Sequence, residues 1–559
     1  MKKIKFQKSV IKMTKNIKYS ILLFACTISA LASFAQRDTT KKQSIDITSS
    51  YKPVLRNAVK INLSATQLVA DTAKVKMNYT VPAQNLFYTY QPIPLRPLAL
   101  QANDSLQLGV RNYLKIGIGN YSTPFLKAGL SFGDGKTSLI NVYGDYISSK
   151  GKIKYQDYSK LNVKATGSYF TGQNEVYGGV GLSLHDNYLY GYDHGLHSFT
   201  KTDLLQRFQD FSLNAGVRNS NTNDLGINYN PSLSVDVFTS QNKLSENNVI
   251  VNIPFDKKFD ESFSAEISAT ADITSYKTKN LLLDNITIKN NVFQVTPVLT
   301  YTAPMYTIHG GLTPTYSNKK FVLLPNIYGE MRLSEKKFLV QAGFVGKIIK
   351  NTYKNLSAIN PYILPVTDQL NTRETELYGG IKSTVGKHFN FSAKAGLVHF
   401  NDFAFFVNDT LTDEKGFIIS NDKNVNALRL HADMSYINQD KFTITGGVTF
   451  NGYTDMQNNA AAYGTVPIEI TASMRWWAFD KVLLKSDLFV FGGGPYLLKD
   501  NVTKNLKGAA DLSVGAEFVI NKNFSAWADI NNLLNNKYER WHRYETYGLN
   551  FLGGIIMKF

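Results

Sequence analysis

The sequence predicts an all-β protein: one transmembrane, up-and-down antiparallel β-barrel of about 22 strands behind a short N-terminal extension. Three observations lead there. Counting back from Phe559, every second residue to Tyr547 is apolar or glycine (Met557, Ile555, Gly553, Phe551, Leu549), the period of an extended strand with one greasy face. The same alternation recurs along the chain to about Leu106, with connections that alternate between short and long. Beyond the N-terminal apolar run, no stretch is long and apolar enough for a transmembrane helix.

The N-terminus reads as a secretion signal over residues 1–35. Seven lysines and no acid precede the apolar run Ile21–Ala32, and Ser33-Phe34-Ala35 puts small residues at the positions that signal cleavage requires. A lipoprotein signal using Cys26 fits less well, because Phe24 is bulky for a lipobox. Cleavage lowers the formal charge from +18 to +11 and removes the only cysteine. Disulfides, a thiol nucleophile and thiolate metal sites are thereby excluded. The remaining basic residues form no concentrated block, so attraction to anionic outer-membrane lipids is expected rather than nucleic-acid binding.

Residues 36–105 hold 5 of the 16 prolines and no glycine. Pro92, Pro94 and Pro97 favour extended chain there. Alternating Val75, Met77, Tyr79 and Val81, and the cluster Leu86-Phe87-Tyr88, are too apolar for a free linker. Leu86, Phe87 and Tyr88 are therefore expected to anchor the segment on the barrel lumen or on a partner.

The barrel is expected over residues 106–559. Leu161, Val163, Ala165, Gly167 and Tyr169 oppose Asn162, Lys164, Thr166 and Ser168. Phe263 to Ile273, Leu428 to Tyr436 and Ile468 to Trp476 repeat the pattern, with one face suited to lipid and the other to a wet lumen. Short turns are expected near 133–136, 171–174 and so on to 520–523, with longer loops between them, including 186–208, 240–248, 350–374, 400–426 and 534–546. That parity puts both barrel ends on the periplasmic side of the outer membrane of a Gram-negative bacterium. Tyr143, Tyr146, Trp476, Trp477, Trp527 and Trp541 fall near strand ends, as interfacial girdles would.

The closing stretch Asp529-Ile530-Asn531-Asn532-Leu533-Leu534-Asn535-Asn536-Lys537-Tyr538, then Gly548-Leu549-Asn550-Phe551 and Met557-Lys558-Phe559, resembles the C-terminal end of TonB-dependent receptors. Leu534 replaces the family's usual aromatic, and Asn550 stands near its usual arginine. The resemblance implies a 22-stranded barrel and uptake of a nutrient, with Tyr547, Phe551, Met557 and Phe559 forming the terminus that assembly machinery recognises. Ser44-Ile45-Asp46-Ile47-Thr48 resembles a TonB box, which would pair with TonB as an added strand. An ordered periplasmic or luminal extension is the other reading of that segment. The family's glycine-rich plug has no counterpart in residues 36–105, so a partner protein, the loops or this segment must seal the lumen.

No catalytic set stands out, and no cofactor is implied. Gly129-Leu130-Ser131-Phe132-Gly133 matches the hydrolase elbow pattern, but its serine sits mid-strand. His194 and His197, with Asp186, Asp193 and Asp203 nearby, could be read as metal ligands, but a solvated pair on a long loop is the expectation. Two functions remain: uptake with a reduced or partner-supplied plug, or a non-transporting barrel subunit of an outer-membrane assembly or export complex. The presumed lumen face mixes Lys115, Lys394, Arg429 and Arg475 with Glu266, Asp433, Glu469 and Glu517, which argues against selection by a ring of one sign.

Overall fold

The computed structural model describes residues 112–559 apart from 221–222, 224, 242–243, 279–285, 334–337, 387, 411–412 and 439–440. The expected signal peptide, the TonB-box stretch and the Leu86–Tyr88 anchors lie outside the described residues.

A closed antiparallel barrel of 22 spanning strands fills most of this region. Each strand pairs with its neighbours in chain order, from Tyr113–Gly119 to Asn550–Lys558. Closure comes from those two strands, in register from Tyr113 opposite Lys558 to Gly119 opposite Leu552. The seventh span is broken: Ile227–Tyr229 and Ser232–Ser240 both pair with Leu244–Lys258, and Asn230-Pro231 interrupts them. Pro231 has no N–H to give the ladder at the break, although Pro254, Pro297, Pro314 and Pro325 sit inside unbroken spans.

The alternation divides the wall as expected. Val163, Leu182, Ile267, Leu397 and Ile555 are exposed on the outer face, where lipid would cover them. Between them the inner positions carry Lys115, Glu376, Asp487 and Glu517, all buried. The inner wall satisfies its charges locally: Lys394 lies 2.8 Å from Glu376, Arg429 2.8 Å from Glu374, and Arg475 3.1 Å from Asp487.

Four expectations need correction. Strands continue to Ser240 and from Leu244, so the long loop foreseen over 240–248 is a tight connection. Trp527 points inward, 5% exposed, with Lys115 Nζ 4.0 Å from its ring and its indole N–H donating to the Ile116 carbonyl. Trp541 is buried in the last loop. Neither belongs to a girdle, and nor does Tyr143, whose cross-strand partners Gly129 and Lys164 put it on the inner face; Trp476 is exposed on the outer face as foreseen.

Candidate functional site

The long loops do not stand away from the barrel. Four of them, residues 189–204, 350–371, 402–424 and 532–549, bury their apolar side chains in one cluster across the mouth. These loops join the fifth and sixth, thirteenth and fourteenth, fifteenth and sixteenth, and last two spans, so they start from widely separated parts of the wall. Three of them, spaced roughly a third of the circumference apart on a closed ring of strands, each send one tyrosine to a common point. Tyr362 stacks on Tyr544 with ring centroids 3.5 Å apart. Tyr190 meets Tyr544 edge-on at 4.9 Å and Tyr362 edge-on at 6.1 Å. Burial pushes all three phenols well above their ordinary ionisation range.

Each loop is tied down by its own chemistry. The 350–371 loop carries a short helix, Tyr353–Ile359, started by the Thr352 hydroxyl accepting from the Asn355 N–H. The wall completes that start: Glu246 accepts from the backbone N–H of Tyr353 at 2.7 Å and of Lys354 at 3.1 Å. Lys354 then reaches Asp210 and Asp236, each at 2.9 Å, while Lys350 pairs with Asp272. Charges on four consecutive spans thus hold one loop against the inner wall.

The 402–424 loop forms a hairpin of Phe403–Asn408 with Phe417–Asp422. Asp422 is fully buried and accepts from the backbone N–H of Gln457, Asn458 and Asn459, which ties this loop to the next one. Burial alone would raise its pKa, but these donors outweigh it and hold the carboxyl below the usual range.

The last loop ends the chain's motif region. Asn532 adopts φ +51°, and its side-chain amide donates to the carbonyls of Asn536 and Tyr547. Asn536 reaches back to the Ala510 carbonyl, and Asn531 to Asn550. The asparagine-rich stretch is therefore a set of local caps that folds 532–549 over the mouth. Beyond it, the Tyr544 hydroxyl donates to the Lys415 carbonyl, and Arg543 lies 3.1 Å from Glu414. Gly191 lets the first loop approach: a Cβ there would sit 2.4 Å from the Tyr544 ring.

The residues foreseen as the barrel terminus divide. Phe551, Met557 and Phe559 lie on the exposed outer face of the closing strand, and the Phe559 N–H donates to the Asn112 carbonyl at 3.1 Å. Tyr547 does not share that face. The strand begins at Asn550, and Tyr547 is buried in the last loop, its hydroxyl donating to the Gln156 carbonyl. Alternation continued past the true strand end by coincidence.

The aromatic side chains of these loops mostly pack on each other: Tyr190, Tyr192, Phe405 and Phe406 are buried. His194 stacks beside Tyr192 and meets the Tyr190 carbonyl, while Asp193 caps the backbone N–H of Gly195 and Leu196. No cluster of metal-ligating side chains occurs among the described residues. Ser131 lies mid-strand, its N–H bonded to Asn112, which leaves no strand-to-helix elbow. Sequence reasoning missed Tyr362 and Tyr544; the one available signal was the aromatic, charge-alternating run Tyr538–Glu545 in a loop foreseen as long.

No protein-family model matches the chain, and no curated protein matches it in sequence. Solved structures do match. The FrpB iron transporter of Neisseria meningitidis is 12% identical, covers 80% of this chain and 81% of its own, and gives a TM-score of 0.63. A variant of the ferric enterobactin receptor PfeA of Pseudomonas aeruginosa, in complex with enterobactin, is 12% identical over 81% of this chain and 82% of its own, with a TM-score of 0.61. The siderophore receptor PirA of Pseudomonas aeruginosa is 12% identical over 80% and 79%, with a TM-score of 0.56. At these identities the likeness is one of fold, and the fold is that of the TonB-dependent siderophore-receptor barrels.

Proposed function

We propose that this chain is an outer-membrane uptake barrel whose mouth is covered at rest by its own loops. The observation that carries this reading is the receptor-type barrel, which aligns with iron transporters and siderophore receptors over about four-fifths of both partners. These relatives are named as transporters and receptors, which favours a carrier over an enzyme. Residues 1–35 are the signal peptide, 36–105 precede the wall as a separate segment, and both barrel ends face the periplasm. TonB is the proposed energy-coupling partner through Ser44–Thr48. The balanced charge pairs of the inner wall favour a solute selected by shape rather than by one sign of charge.

The tyrosine-centred cover supports a second reading, a sealed accessory barrel, because so many side chains hold it shut. The test is depletion of solutes from a complex medium, followed by mass spectrometry. Cells lacking the protein are expected to leave at least one solute class unconsumed, and a variant without residues 44–48 should behave like them. Identical depletion by wild-type and deletion cells would overturn uptake and leave the accessory role.

A further inference from the structure

The loops of the cover are fastened in two ways. The 532–549 loop hangs on backbone carbonyls, Tyr544 on that of Lys415 and Tyr547 on that of Gln156. The 350–371 loop reaches the wall through charge instead. Lys350, its side chain 9% exposed, pairs with Asp272, and Lys354 lies between Asp210 and Asp236. Glu246 stands beside them, accepting from the backbone N–H of Tyr353 and Lys354 and from the Gln369 amide at 3.0 Å. Four carboxylates thus face two ammonium groups at the foot of the loop that brings Tyr362 to the mouth. One carboxylate oxygen, Asp210 Oδ1, is buried and accepts no hydrogen bond from the described residues.

We propose that these groups form an acid-released latch: protonation of the wall carboxylates frees the 350–371 loop and uncovers the mouth. At neutral pH the carboxylates repel one another and are held together by the two lysines. A proton entering at Asp210 Oδ1 relieves that excess and displaces no donor. A second proton, on Asp236, leaves the Lys354 ammonium without a counter-charge. An ammonium kept mostly out of water and unpaired is worse placed than one in solvent, so the loop lifts and carries Lys354 with it. Each carboxylate grips only while ionised. The latch is therefore complete above the carboxylate range, about pH 4 for free groups, and is lost as the pH falls through it. The other charges of the cover do not hold this loop: Arg543 with Glu414 joins the last loop to the 402–424 loop, and Lys415 with Asp413 lies within the latter.

The latch needs only the covered mouth, not uptake, and the purified full protein in lipid suffices to test it. Ser357, buried on the loop's helix, is replaced by cysteine, and its maleimide labelling is followed at pH 7. The same Ser357→Cys change is then made together with D210N/D236N, which copies the protonated latch. Labelling is expected to be about tenfold or more faster in the neutralised background, because the loop spends more time off the wall. The planar-bilayer conductance of the wild-type chain should rise as pH is lowered from 7 to about 3.5. E414Q, which touches only a loop-to-loop pair, should keep that rise. Equal labelling in the two backgrounds, both with the heat-modifiable mobility of the wild type, would overturn the proposal. So would an acid step that E414Q abolishes. A wild-type conductance unchanged down to the lowest pH would overturn it without needing any variant to fold.

Discussion

Tyr362 and Tyr544 lie face to face, with ring planes 18° apart, although 182 positions separate them in sequence. No strand pairing brings them together; each is carried on a loop from a different part of the wall. That contact turns a ring of strands into a covered vessel.

Tyr544→Ala should therefore open the cover while sparing the wall. The variant loses the Tyr362 stack, the edge contact with Tyr190 and the bond to the Lys415 carbonyl. By analogy with large-to-small changes at buried aromatics, the cover should lose about 3–5 kcal/mol of local stability. In planar bilayers the conductance should rise well above that of the wild type, with heat-modifiable mobility unchanged. A conductance no different from wild type would mean that the stack does not hold the mouth shut.

Alkaline pH should act on the same place. Tyr190, Tyr362 and Tyr544 are held neutral by burial, so their folded ionisation lies above the value of about 10 for a free tyrosine. A raised folded pKa means a contribution that is fully present below about pH 10 and is lost as pH climbs through the folded values. Conductance recorded stepwise across that range should increase together with tyrosinate absorbance. A current that grows between pH 6 and 9 instead would point to other groups.

The two faces of the wall should respond differently to charge. Leu182 is exposed on the outer face, and an arginine there should cost about 2–4 kcal/mol near mid-bilayer. Ser183 faces inward and bonds Asn162, so the same substitution should be tolerated far better. Chemical denaturation of refolded barrels in lipid would measure both, and equal losses would contradict the assignment of faces.

Removing Phe559 should impair membrane insertion. Its backbone N–H closes the seam onto Asn112 and its side chain lies on the outer face. The amount of heat-modifiable barrel in cells reads this out, and normal levels would show that the terminus is dispensable.

Why the wall could be read from sequence and the cover could not comes down to range. Leu182 and Ser183 reveal their faces because neighbours two positions away share the same solvent, so local period suffices. Tyr190, Tyr362 and Tyr544 follow no period; their partners are fixed only once the sheet has closed. Trp527 and Trp541 misled for a related reason. A tryptophan at a strand end is equally at home against lipid or beneath a lysine, and only the parity of Ala526 and Ala528 around Trp527 could have told them apart. Tyr547 misled by extending an alternation three residues past the start of the true strand at Asn550.

The seam between Tyr113–Gly119 and the closing strand also governs when the mouth can be covered. Tyr544 belongs to the last connection of the wall, and its partners are fixed to spans on either side of the ring. While the sheet is an open ribbon, those three points cannot be held at contact distance. The tyrosine stack is thus a completion signal: it forms only on a barrel whose first and last strands have found each other, and a barrel that closes in the wrong register leaves its mouth open.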